Sequence, residues 1–148
     1  MIMKKATLEN IDNLTQIAVE SRYRWNDNEK DLKKHIISSL KRKGAETYYL
    51  LKNNIAVGYI VITIKNKIAD IDFMGIKKKY QGKGYGKEIM FAIISQIKKS
   101  YNQARLAVWA RNFTAISLYN KFGFYVYKIQ RNNYPNGDAK LFMKKELK

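Results

Sequence analysis

Cysteine is absent from the 148 residues, and histidine occurs once, as His35. The first absence excludes disulfides, a thiolate nucleophile and a cysteine-ligated metal. The second excludes a multi-histidine metal site or a Ser/His/Asp triad within one chain. No metal is expected, so any chemistry must run on carboxylates, tyrosines, lysines and backbone amides. No apolar run approaches the ~20 residues of a membrane span. The opening Met1-Ile2-Met3-Lys4-Lys5 is charged too soon for a signal peptide. The expectation is a cytoplasmic protein with no membrane partner. Acidic residues are scarce as well, 12 against 29 Lys and Arg, for a net charge of +17. That balance points towards nucleic acid, anionic lipid or acidic substrates. The lysines are dispersed, with short clusters at 41–43, 77–79 and 144–145, and no recognised nucleic-acid motif accompanies them. A solvated basic surface is the plainer reading, and a nucleic-acid partner is disfavoured.

A chain of this length makes one domain, spanning 1–148, with room for a real core. Met1 to Ala6 reads as a first strand. Ile11, Leu14, Ile17 and Ala18 fall at helical spacing, and so do Leu32, Ile36, Ile37 and Leu40 in a second helix from about Asn28 to Lys41. Between them, residues 22–26 are polar and aromatic and read as a loop. Thr47 to Leu51, Ile55 to Ile64 and Ile68 to Ile76 are three strands joined by the turn signals Lys52-Asn53-Asn54 and Lys65-Asn66-Lys67. An amphipathic helix follows over Glu88 to Ile97. Ala104 to Ala110 is a strand, and Asn112 opens a helix that Gly123 stops. Phe124 to Ile129 and Ala139 to Met143 form a closing hairpin. The order β-α-α-β-β-β-α-β-α-β-β predicts an α/β (α+β) fold, a mixed sheet with helices on both faces.

The richest segment is Gln81-Gly82-Lys83-Gly84-Tyr85-Gly86-Lys87, between a strand and a helix. Its alternate glycines remove side chains that would keep a ligand off the backbone. The helix that follows offers unpaired amides with a partial positive charge, which together make a phosphate seat. Lys77, Lys78, Lys79, Lys83 and Lys87 crowd the loop, so the expected guest is a polyanion. The spacing Gly-x-Gly-x-Gly is not the dinucleotide fingerprint, and Glu88 stands where a nucleotide-triphosphate loop needs Ser or Thr. A glycine-rich turn that caps a helix and binds nothing carries the same residues.

Farther on, Asn112 and Tyr119 stand seven residues apart, two helical turns along one face. An amide there can hold a ligand and a phenol can donate a proton, although an N-cap asparagine and a core tyrosine share this spacing. The two segments together resemble the GNAT superfamily of N-acetyltransferases over essentially the whole chain. Gln81-x-x-Gly84-x-Gly86 is similar to that family's acyl-CoA pyrophosphate motif. Asn112-x-x-Ala115-x-x-x-Tyr119, ending in Lys121-Phe122-Gly123-Phe124, is similar to its second motif.

The resemblance implies acetyl-CoA as co-substrate and direct acetyl transfer to a primary amine, on a small molecule or a protein, in a ternary complex. It implies a splayed strand whose Met74, Gly75 and Ile76 hold the cofactor arm. Gln81, Gly82, Lys83, Gly84, Tyr85, Gly86 and Lys87 would bind the pyrophosphate. Asn112 would touch the arm, and Tyr119 would sit beside the sulfur as general acid. Asp70 and Asp72, alternating with Met74 on one strand face, are the candidates for the base. His35, among apolar helical neighbours, is expected to be structural. Tyr23, Trp25, Trp109 and Tyr134 are candidate pocket walls.

Arg131-Asn132-Asn133-Tyr134-Pro135 with Gly137-Asp138-Ala139 and Met143 is similar to the ribosomal-protein alanine N-acetyltransferases. Those enzymes carry a glutamate base where this chain has Ala107, and an arginine where it has Trp109. Two alternatives stay open: a non-catalytic acyl-CoA-binding module and a basic nucleic-acid-associated protein. A strand edge could leave the chain a monomer or pair it as a homodimer.

Overall fold

The computed structural model describes residues 2–21 and 28–148. The loop expected over residues 22–26, with Tyr23 and Trp25, lies outside the described residues. The elements run β1 (Ile2–Lys5), α1 (Ile11–Ser21), α2 (Glu29–Lys41), β2 (Ala45–Lys52), β3 (Ile55–Lys65), β4 (Ile68–Ile76) and α3 (Tyr85–Ile97). They continue with β5 (Gln103–Trp109), α4 (Phe113–Lys121), β6 (Tyr125–Gln130) and β7 (Lys140–Glu146). The predicted order holds. One seven-stranded sheet, β1-β2-β3-β4-β5-β7-β6, contains them all. Its β4–β5 pair is parallel and the rest are antiparallel, which makes the sheet mixed.

Strand alternation sorts the apolar side chains onto two faces. On one, Tyr59, Val61 and Phe73 pack with Leu14, Ile17 and Ile36 of α1 and α2. On the other, Ile60, Ile62, Leu106 and Val108 pack with Ile89, Ile93 and Tyr119 of α3 and α4. The helices thus cover both faces, as their periodicity requires. The turn asparagines Asn53 and Asn54 take positive φ, 49° and 61°, the geometry of a tight hairpin turn.

Two local features depart from the sequence reading. Helix α3 begins at Tyr85 rather than Glu88, because Gly84 takes a left-handed φ of 85° as its N-cap. Tyr85, Gly86 and Lys87 therefore belong to the helix's first turn. Second, a register shift falls between the pairs Val61–Phe73 and Ile62–Ile71, which leaves Asp72 as the extra residue of a β-bulge. The bulge resets the alternation. Asp70 lies opposite Thr63 and Phe73 opposite Val61, whereas Met74 lies opposite Ile60 on the other face. Asp70 and Met74 do not share a face, contrary to the simple period-two reading.

The core is dense around α3, where Ile89, Met90 and Ile93 have no solvent exposure. Ile89→Ala should cost about 2–5 kcal/mol, the range for emptying a sealed aliphatic site. A urea unfolding curve with unchanged slope and a lower midpoint is the expected record.

Candidate active site

Strand β4 pairs with β5 from Ile68–Gln103 to Ile71–Leu106, and there the pairing stops. Beyond that point β4 stays with β3 as far as Ile76, while β5 stays with β7 as far as Trp109. The two strands part at the bulge at Asp72, which bends the strand that carries it. The fork opens onto a cavity of about 380 Å³. Phe73 and Met74 of β4, Ala107 to Trp109 of β5, and Asn112 and Tyr119 of α4 line it, together with residues of α1, α2 and β3 and Tyr134.

Asn112 caps α4: its side-chain oxygen accepts from the Ala115 amide at 3.2 Å. One turn of the cap reading is therefore correct, and the residue also faces the cavity. Tyr119 is 8 % exposed, its ring 6.1 Å from that of Phe124. Burial pushes its hydroxyl up to about 12, so it is protonated throughout the neutral range. It is a core tyrosine and a cavity residue at once.

The glycine loop stands at the far end of β4. The Gln81 side chain donates to the Ile76 carbonyl at 2.9 Å, which ties the loop to the end of the strand. Gly82 and Gly84 both take positive φ, and a Cβ at either would meet nothing within 4 Å. The space beside this backbone is open to a ligand, and the first-turn amides of α3 adjoin it. Gly86 has another role. A Cβ there would lie 3.4 Å from Leu118 Cδ2 and 4.0 Å from Met74 Cε, so its small size lets α3 approach α4 and β4. Tyr85 is buried, and its hydroxyl accepts from Lys52 Nζ at 2.5 Å. Gly75 is buried between Ser21 and Phe73, and a Cβ would fall 2.7 Å from the Phe73 ring. None of residues 81–87 lines the fork cavity.

Both candidate carboxylates are ion-paired. Asp72 Oδ2 accepts from Arg42 at 2.6 Å and from the Thr63 hydroxyl. Asp70 Oδ1 accepts from Arg105 Nε at 3.1 Å. Asp72 lines the fork cavity; Asp70 lines a neighbouring one of about 470 Å³. Trp109 and Tyr134 are cavity walls as predicted, their rings 6.3 Å apart edge to face.

His35 departs from expectation: it is exposed on α2 and lines the fork cavity with Leu32, Ile36 and Ser39. Helical spacing carried the signal, since residues 32, 35, 36 and 39 form one stripe. Arg42, the partner of Asp72, had no sequence signal, because the pair is closed across 30 positions. Among the described residues, no cluster of three His, Cys, Asp or Glu is arranged to hold a metal, and no helix is long and apolar enough to cross a membrane.

The profile of the acetyltransferase (GNAT) family matches residues 11–124. A ribosomal protein bS18-alanine N-acetyltransferase of Haemophilus influenzae is 30% identical over 100 residues, 66% of this chain and 68% of that one. A probable spermine N(1)-acetyltransferase of Bacillus subtilis subsp. natto is 40% identical over 62 residues, and the match spans 40% of this chain and only 41% of that protein. In three dimensions, the ribosomal-protein-S18-alanine N-acetyltransferase of Escherichia coli superimposes with a TM-score of 0.88 at 20% identity, covering 99% of this chain and 93% of its own. The chain belongs to the acetyltransferase (GNAT) family.

Burial of Tyr119 and Tyr59 carries a pH signature, because both hydroxyls are raised by desolvation. In the unfolded chain tyrosines ionise near 10, so above that pH the unfolded state binds fewer protons than the folded one. Stability should therefore fall as pH rises past about 10 and be untouched by these groups at neutrality. Tyr119→Phe should remove a part on the order of 2–3 kcal/mol between pH 10 and 12. Urea midpoints measured at pH 7 and pH 11.5 for both proteins provide the check.

Proposed function

We propose that this protein is an acetyl-CoA-dependent N-acetyltransferase that moves an acetyl group directly to a primary amine in a ternary complex. The observation that carries the reading is the β4–β5 fork, with Tyr119 and Asn112 lining its cavity and an open glycine-capped helix N-terminus at the end of β4. The residues fit acetyl-CoA: Gly82 and Gly84 leave the backbone accessible, and Lys83 and Lys87 bring positive charge to a pyrophosphate. Backbone groups of Met74, Gly75 and Ile76 would align the cofactor arm in place of the missing β5 partner. When bound, acetyl-CoA supplies an activated acyl group and a sulfur leaving group.

The chain's own groups have three tasks. Backbone amides of the parted strand orient and polarise the acyl carbonyl. Tyr119 donates a hydrogen bond to the departing sulfur, and its proton is available at every neutral pH. A phenol near 12 holds its proton more tightly than an ordinary thiol near 8.5, so it would pass that proton to the sulfur only as the carbon–sulfur bond breaks, and would take up the one the nitrogen sheds on becoming an amide. The attacking amine must also be deprotonated, since an alkyl amine near 10.4 is almost fully charged at pH 7. Asp72 is the better placed base, because Arg42 and Thr63 engage only its Oδ2 and the residue lines the fork cavity. Asp70, in the adjoining cavity, is the second candidate through water. The family relatives name both a polyamine and a protein α-amine as acceptors, and either is a primary amine.

Gly84→Asp should abolish measurable acetyl-CoA affinity while the far-ultraviolet spectrum persists. The new side chain has space, so the loss comes from negative charge facing the pyrophosphate and from strain at positive φ, about 1 kcal/mol. Unchanged affinity would remove the loop from the cofactor site. Tyr119→Phe should leave acetyl-CoA binding near the parent value and lower turnover on the order of 10²–10⁴-fold. Thiol release measured with an amine panel decides this, and turnover within a few-fold of the parent would leave Tyr119 a packing residue. Asp72→Asn should lose rate most at neutral pH and recover part of it as the amine deprotonates in solution. The same pH–rate profile for Asp72→Asn, Asp70→Asn and the parent would assign proton removal to water.

A further inference from the structure

Helices α1 and α2 cover their face of the sheet only as far as β4. Among the described residues, no helix covers the same face of β5, β7 and β6. Strand alternation brings Arg105, Phe142, Lys140 and Lys144 to it, with Tyr125 and Lys128 opposite Lys144 and Phe142 in register. The lysines lie over rings: Lys128 and Lys140 stand 5.2 Å and 5.6 Å from the centre of Phe142, and Lys144 stands 5.7 Å and 5.6 Å from Tyr125 and Tyr127. Arg105 is paired with Asp70 and Lys144 with Glu146. Lys128 and Lys140 have no carboxylate partner among the described residues.

This face is continuous with the fork. The cavity beside it is lined by Arg105, Tyr127, Lys140 and Phe142, and it shares Ile71, Asp72, Ala107 and Tyr134 with the fork cavity. A peptide whose terminal amine enters the fork would lay its next residues across the bare sheet, against two uncompensated ammonium groups and aromatic rings. Asp72 and Asp70 each already pair with an arginine, so a further cation gains less from them than from a free carboxylate. The whole chain adds +17.

We propose that the acceptor is a peptide or protein amine followed by acidic residues, guided by Lys128 and Lys140, and that polycationic amines are selected against. The inference rests on the acetyltransferase reading for its kinetics but not for its binding. Carboxylates next to the amine gain the two lysines without displacing an existing pair, whereas a polyamine meets like charge at the same place. A second copy of this chain would bring its own positive charge to the face, so self-association does not explain it.

The test uses two acceptors with a free α-amine and an amidated C-terminus: alanine followed by three glutamates, and alanine followed by three arginines. At low salt kcat/KM should favour the acidic peptide roughly tenfold, the combined scale of two exposed charge contacts. The ratio should shrink towards one at 0.5 M salt, as expected for screened contacts, and should fall to one or below in Lys128→Glu/Lys140→Glu, where both charges are reversed. Equal or better use of the arginine peptide, or of a polyamine, overturns the proposal. A C-terminally labelled acidic peptide followed by anisotropy reads the same surface without turnover. If no amine is acetylated, the enzymatic reading fails, and salt-sensitive peptide binding lost in the double variant would still establish the surface. Binding unaffected by the double variant overturns it. Thermal melting confirms folding of that variant, and Lys128→Gln/Lys140→Gln serves if the charge reversal unfolds it.

Discussion

The rest of the structure depends on where β4 lets go of β5. Four residue pairs join the two strands, and the ladder then ends although both strands continue. The extra residue at Asp72 bends β4 while its pairing with β3 holds it on one side; β7 holds β5 on the other. A sheet interior is normally closed by a continuous ladder, and here the β4–β5 ladder ends at Ile71–Leu106. The cavity, the buried phenol and the glycine-capped helix are all arranged around that interruption.

Charge placement is the second constraint. An excess of cations covers the chain, yet its few acids near the site are spent on specific pairs: Asp72 with Arg42, Asp70 with Arg105, and Asp138 with Arg111. Asp138 also accepts from the Trp109 indole at 2.9 Å, so the loop carrying Tyr134 is fastened to the end of β5. These pairs hold the walls of the cavity in register with the parted strands. Among the described residues, Lys83 and Lys87 at the glycine loop and Lys128 and Lys140 on the outer strands have no carboxylate partner.

Most of the architecture was legible from local pattern. Apolar periodicity located every α-helix and strand among the described residues, though not the short 3-10 turns Leu8–Asn10 and Lys78–Tyr80, and the paired asparagines at 53–54 marked a turn whose backbone has the required positive φ. The ends of elements were less legible. Helix α3 starts three residues early because Gly84, not Glu88, supplies the cap, and a glycine in such a run can serve as turn or cap equally well. The bulge at Asp72 was invisible, since an inserted residue in a strand leaves the composition unchanged and only the partner strand reveals the slip. That slip moved Met74 off the face assigned to Asp70.

The sequence by itself determined the element order, the absence of thiol and multi-histidine chemistry, and the two spaced segments that carry the family resemblance. Those are properties of neighbours along the chain, set by side-chain period and backbone permissiveness. Tertiary structure alone decided that Tyr119 is sealed enough to keep its proton, that His35 faces a cavity, and that both aspartates are held by arginines. Each of those depends on groups 30 or more positions away, or on the packing of a helix against a sheet. It also decided that, among the described residues, no helix covers one face of β5, β7 and β6, because only the assembled strand order shows how far α1 and α2 reach.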